Sequence, residues 1–393
     1  MTTADPTAAP AAEAPKPRLP NYWDYLQMST LLSLQGGLEG DEAALAPDEL
    51  LFIVVHQAYE LWFKQVLREL REAIHLLGLD RLDEDKVPYV VHHLRRVAQI
   101  LRLAVEQFHV METLTPQDFL SFRDKLVPAS GFQSFQMREL EIRLGLGEDQ
   151  RERYGETDAL AHIKSLADSS PGGARAWSAI SAARADAAAG DTLVQTVEDW
   201  LGRTPIEGST PGSVDDDQVV DAFLSDYLTS LRAWQADQLR DLQRAGLSKP
   251  EELERRFAAS FEAAARFLSA EDLPEGLSPA QRAGRRRARA GLLFIESHRD
   301  LPLLAWPRML IDTVVEVEEQ LVLWRNRHAR MVERVIGRRV GTGGSSGVEY
   351  LDRTTSARVF GDLWNVRTLL MPRDRVPALR SRSYYEFRAP TAP

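Results

Sequence analysis

Residues 47–77 read PDELLFIVVHQAYELWFKQVLRELREAIHLL, and Phe52, Val55, His56, Tyr59, Trp62, Phe63 and Val66 recur there with the period of an α-helix. One face of a helix about thirty residues long is therefore apolar and aromatic, and a stripe of that width has to be buried against other helices. Similar periodicity predicts helices over 87–111, 216–245, 250–270, 279–297 and 306–337, and shorter ones over 132–144, 158–167, 174–189, 191–201 and 356–370. No run alternates apolar and polar residues as a strand would, and no repeat of solenoid length occurs. The expected fold is all-α, a helical bundle. The glycine, serine and proline cluster at 208–213 is the one plausible break, so the pattern predicts a single large domain over 19–375 with a smaller inserted helical portion at about 150–275. Residues 1–18, rich in alanine and proline, read as a disordered tail, and 376–393 as a C-terminal tail.

Composition narrows the chemistry. At 393 residues and 44% hydrophobic content the chain can bury a large core. Its net charge of -10 argues against a nucleic-acid binder, and the arginine run at 285–289 reads as a solvated helix face. There are no cysteines, so disulfides and thiolate-held metals are excluded, and any transition metal must rest on histidine or carboxylate. No secretory signal and no apolar run of membrane-spanning length is seen, so the expectation is a cytoplasmic protein without membrane association.

Candidate chemistry clusters in three places. In 324–350, WRNRHARMVERVIGRRVGTGGSSGVEY, a helical pattern places His328 on or beside the buried face and empties into a glycine-serine loop. The loop lacks the lysine of a phosphate-binding loop, which weighs against a nucleotide. His56 lies within the aromatic stripe, where a histidine is more often a packed core residue than a ligand or base. Arg123 follows Phe119 by one helical turn, putting a guanidinium beside an aromatic wall, an arrangement that suits an amino acid equally with an ordinary surface ion pair.

Five separated blocks, in order, carry a resemblance: NYWDYL at 21–26, LFIVVHQAYELWFKQ at 51–65, FRDKLVPASGFQSFQMRELE at 122–141, WRNRHARMVERVIG at 324–337 and GTGGSSGVEYL at 341–351, with LLMPR at 369–373 following. Together they strongly resemble the tryptophan 2,3-dioxygenase family, over most of the chain. The resemblance implies a haem b enzyme that uses dioxygen to open the indole ring of L-tryptophan, the first step of the kynurenine route. It implies His328 as the axial ligand of the haem iron and His56 as the catalytic histidine that hydrogen-bonds the indole N–H. It implies Phe52 and Phe119 as walls of the substrate site, Arg123 as the partner of the substrate carboxylate and Thr342 as a contact to its ammonium and carboxylate. Tyr22, Tyr25 and Leu26 match a segment that, in the family, completes a neighbouring subunit's site, which implies a homotetramer.

The chain also departs from the family pattern at Trp23, His298, Leu301, Val348 and Arg367. These changes keep open an alternative, a related haem enzyme acting on a substituted tryptophan in secondary metabolism.

Overall fold

The computed structural model describes residues 21–80, 82–127, 134–148, 150, 159–165, 167–168, 170–246, 249–341 and 347–386. The expected tail at 1–18 and Thr342 lie outside them. The described residues form an all-α structure of fifteen α-helices with no strand. In chain order these are α1 (Tyr22–Tyr25), α2 (Met28–Leu31), α3 (Glu49–Leu77), α4 (Val87–Met111), α5 (Pro116–Phe122), α6 (Phe135–Leu144), α7 (Ala159–Ser165) and α8 (Pro171–Ala188). There follow α9 (Leu193–Gly202), α10 (Asp216–Ala245), α11 (Pro250–Ser269), α12 (Pro279–Ser297), α13 (Ala305–Ile336), α14 (Val348–Thr354) and α15 (Gly361–Asn365).

The centre is built by the three most strongly patterned segments. Helix α4 packs between α3 and α13, and its inward residues Val90, Leu94 and Ala98 are fully buried, as are Val66 and Leu70 of α3 and Leu310 and Val314 of α13. Each such leucine or valine contributes about 1.5–3 kcal/mol through removal of its apolar surface from water. On the flank α12 lies against α9, and the contact depends on Gly291, where an added Cβ would sit 2.3 Å from the Leu201 carbonyl oxygen. Local chemistry sets the helix ends. Thr115 caps α5 with Pro116 in its first turn, and Ser278 and Gln281 form a reciprocal capping box at the start of α12.

Two expectations are corrected here. A helix over 356–370 does not form. Instead α14 ends at Thr354, and α15 and a short 3₁₀ turn at Val366–Leu369 follow Gly361. The reason is tertiary: the buried Glu318 carboxylate of α13 accepts the N–H groups of Val359 and Phe360 and the indole N–H of Trp364, holding the backbone before Gly361 out of a helical ladder. The arginines at 285–289 are not a solvated face either. Arg289 is only 3% exposed and sits between Asp272 at 2.6 Å and Asp362 at 2.8 Å, while Arg287 bonds Asp216 at 3.0 Å. Buried guanidinium is tolerable because each is paired. Among the described residues no helix is long and apolar enough to cross a membrane.

Candidate active site

Helices α3, α4, α5, α6, α13 and α14 converge on a cavity with about 1540 Å³ of non-atom space, part of it open to solvent. It gathers His328, His56, Phe52, Phe119 and Arg123, residues drawn from segments more than two hundred positions apart in the chain.

His328 comes from α13, with its ring stacked on Phe108 at 5.8 Å and against Trp324 at 5.2 Å. Among the described residues no hydrogen bond reaches its imidazole. Burial pushes its pKa down to about 4, helped by the nearby His56 and Arg138, so the imidazole is neutral near pH 7 and keeps a lone pair for an electrophile.

His56 sits in the middle of the first stripe, its open side facing the cavity. Its Nδ1 lies 2.7 Å from the Phe52 carbonyl oxygen. A carbonyl only accepts, so Nδ1 carries the proton and Nε2 is left as an acceptor. Desolvation lowers the pKa against the opposing effects of that hydrogen bond and of Glu60, which favours the neutral tautomer.

The Phe52 ring lies 4.0 Å from the His56 ring, 6.0 Å from Phe119 and 5.5 Å from Phe122, which makes an aromatic wall. Arg123 opens the 3₁₀ turn Arg123–Leu126 directly after α5. Its Nη2 donates to the Val340 carbonyl at 2.5 Å, and its buried Nε has no partner among the described residues. Among the described residues Arg123 makes no ion pair with an acid. Arg123 reaches the root of the glycine-serine loop, whose flanking Gly341 and Gly347 both line the cavity.

Tyr22, Tyr25 and Leu26 are not brought to this cavity. They stand 64%, 79% and 43% exposed on the α1 segment, and the chain is tied to α3 further along, where Gln57 bonds Gln35 at 2.8 Å and the Leu34 carbonyl at 2.9 Å. Sequence reasoning missed a charged group beside His328. Glu141 lies between Arg138 and Arg325, at 2.9 Å from each, and all three line the cavity. All three fall inside the quoted blocks, Glu141 one turn after Met137 and Arg325 one turn before His328, and the burial of an acid between two bases is the feature a linear pattern does not carry.

The family profile for Tryptophan 2,3-dioxygenase matches residues 16–370. The chain belongs to the tryptophan 2,3-dioxygenase family. It is 46% identical to the Tryptophan 2,3-dioxygenase of Sorangium cellulosum over 95% of this chain and 89% of that protein. It is 46% identical to the Tryptophan 2,3-dioxygenase 2 of Ralstonia nicotianae over 93% of this chain and 97% of that protein. It is 35% identical to the Tryptophan 2,3-dioxygenase of Bdellovibrio bacteriovorus over 91% and 95%.

Tryptophan 2,3-dioxygenases are haem-dependent, and a haem asks for an axial ligand, an apolar slot and donors for its carboxylates. The cavity offers the neutral His328, apolar walls from Phe63, Met111, Met331, Val332 and Val335, and two buried donors without partners among the described residues, Arg138 Nε and Trp324 Nε1. The donor set fits the group.

Proposed function

We propose that this protein is a haem b enzyme that opens the indole C2–C3 bond of L-tryptophan with dioxygen, forming N-formyl-L-kynurenine, and that His328 would hold the haem iron. The single observation that carries the site assignment is the His56–Phe52 hydrogen bond, because it leaves Nε2 as an acceptor in the same aromatic-walled cavity that holds Arg123 and His328. The bound haem supplies the activation of dioxygen.

The chain's own residues then bind and orient. Phe52 and Phe119 pack against the indole and keep water from its face. The His56 Nε2 accepts the indole N–H and so fixes which edge of the ring faces the reaction. Arg123 exchanges its Val340 contact for the substrate carboxylate, a charge-assisted pair. Thr342 contacts the ammonium and carboxylate. Tyr22, Tyr25 and Leu26 act in a neighbouring subunit of a homotetramer, a reading supported by their exposure on a segment that does not line its own cavity. The cytoplasm is the proposed compartment. Among the described residues no feature of the site favours a substituted tryptophan as substrate.

The test is turnover of haem-loaded protein with L-tryptophan under isotopically labelled dioxygen. Product carrying two labelled atoms supports the reading, and product carrying one, or turnover only with methylated or hydroxylated tryptophan, rejects it.

A further inference from the structure

Lys125 stands two residues after Arg123 in the turn Arg123–Leu126. Its ammonium lies 2.9 Å from the Glu39 carboxylate and 2.9 Å from that of Glu49. The two acids come from different places. Glu39 belongs to the strap between α2 and α3, whereas Glu49 is the first residue of α3 and is only 4% exposed. The Glu49 carboxylate also accepts the Ala46 N–H at 2.9 Å, so the end of the strap, the start of α3 and the Arg123 turn meet at one group. Gly37 closes this knot. It has φ +62°, and a Cβ there would lie 2.8 Å from Leu45 and 3.3 Å from the Glu39 carboxylate.

The position of the knot gives it a role. Glu49, Phe52 and His56 follow one another at spacings of three and four, so Lys125 is anchored at the foot of the stripe that carries the proposed indole wall. On its far side the same turn is held by Arg123 on the Val340 carbonyl, a contact that substrate would displace. The short α5, seven residues long, leaves the turn dependent on such tethers. Ionic contact also holds the Glu39 carboxyl below the usual carboxylate range, with Lys125 as the leading cause.

We infer that Lys125 is a positioning residue: by bridging Glu39 and Glu49 it sets the reach from the Arg123 guanidinium to the Phe52–His56 wall, and thereby how strictly the site requires a carboxylate on its indole ligand. The inference rests on the tryptophan reading of the cavity.

It is tested by equilibrium binding of L-tryptophan and of tryptamine, which lacks the carboxylate, to the haem-loaded full chain. Wild type is expected to prefer L-tryptophan. Lys125→Met should weaken L-tryptophan about tenfold and leave tryptamine within about twofold, the scale on which small misplacement of a binding group is felt. Lys125→Arg, whose guanidinium also spans two carboxylates, should restore the preference. Glu39→Gln, which leaves the buried Glu49 paired, should give a smaller loss in the same direction and decides the matter if Lys125→Met does not fold. Equal binding of the two ligands by wild type overturns the tryptophan reading itself. A wild-type preference retained in Lys125→Met, equal weakening of both ligands, or an unaltered preference in Glu39→Gln when that variant must decide, overturns the role of Lys125 alone.

Discussion

The Nδ1 of His56 and the carbonyl oxygen of Phe52, one turn earlier in α3, are 2.7 Å apart. Helix backbone thus selects the tautomer of a side chain that faces the cavity. With its proton on the Phe52 side, Nε2 is left as an acceptor, and in the proposed reading it accepts the indole N–H and steers the ring. His56→Ala is expected to lower kcat/KM about tenfold, the cost of one neutral hydrogen bond of about 1–1.5 kcal/mol, with measurable turnover remaining. Steady-state kinetics decide this, and abolished turnover with tryptophan still bound would reject the steering role.

Arg123 donates to a backbone carbonyl, which is a weaker partner than a carboxylate. Arg123→Leu should lower kcat/KM for L-tryptophan by about 1.5–3 kcal/mol, roughly 13- to 160-fold, because it removes the charged partner of a hydrogen bond to the substrate carboxylate. Arg123→Lys should recover only part, since an ammonium lacks the planar fork. Full recovery by lysine would show that charge alone, without bidentate geometry, suffices.

A third prediction concerns pH. His298 is 8% exposed beside Phe294, and burial depresses its pKa to about 4 despite the acids Glu207 and Asp300, with Arg382 adding to the depression. The unfolded chain therefore takes up this proton first as pH falls. The stability associated with neutral His298 is complete above the ordinary value of 6.5 and drains away between there and about 4. Between pH 7 and pH 5 the loss should be about 2 kcal/mol, and His298→Phe should flatten that part of the profile in denaturant titrations. An unchanged slope in the variant would assign the titration to another group.

The fourth tests packing. Gly291 lets α12 approach α9 so closely that any Cβ meets the Leu201 carbonyl at 2.3 Å. Gly291→Ala should destabilise the fold by about 1–3 kcal/mol through overpacking, even though alanine is the better helix former. A raised melting temperature would mean the helices can part at little cost.

Helix placement was legible wherever a long amphipathic stripe repeated, and α4, α10 and α12 span the residues that periodicity predicts. It failed at 356–370, where Glu318, some forty residues earlier, supplies hydrogen-bond acceptors that compete with a local helix. The arginines at 285–289 misled for a related reason: Asp272 and Asp362, their partners for Arg289, are distant in sequence and so invisible to a charge pattern. Of the site residues, His56, Phe52, Phe119, Arg123 and His328 meet in one cavity, whereas Glu141 with its two arginines emerges only in three dimensions.

By itself the sequence determined the all-α class and the family, because periodicity and ordered motifs are properties of a linear string. Tertiary structure alone decided that Arg123 rests on Val340 and that Lys125 joins two acids from separate segments. Those facts depend on burial and on which groups meet across space, and a hydrogen bond or a desolvated charge has its energy set by that meeting.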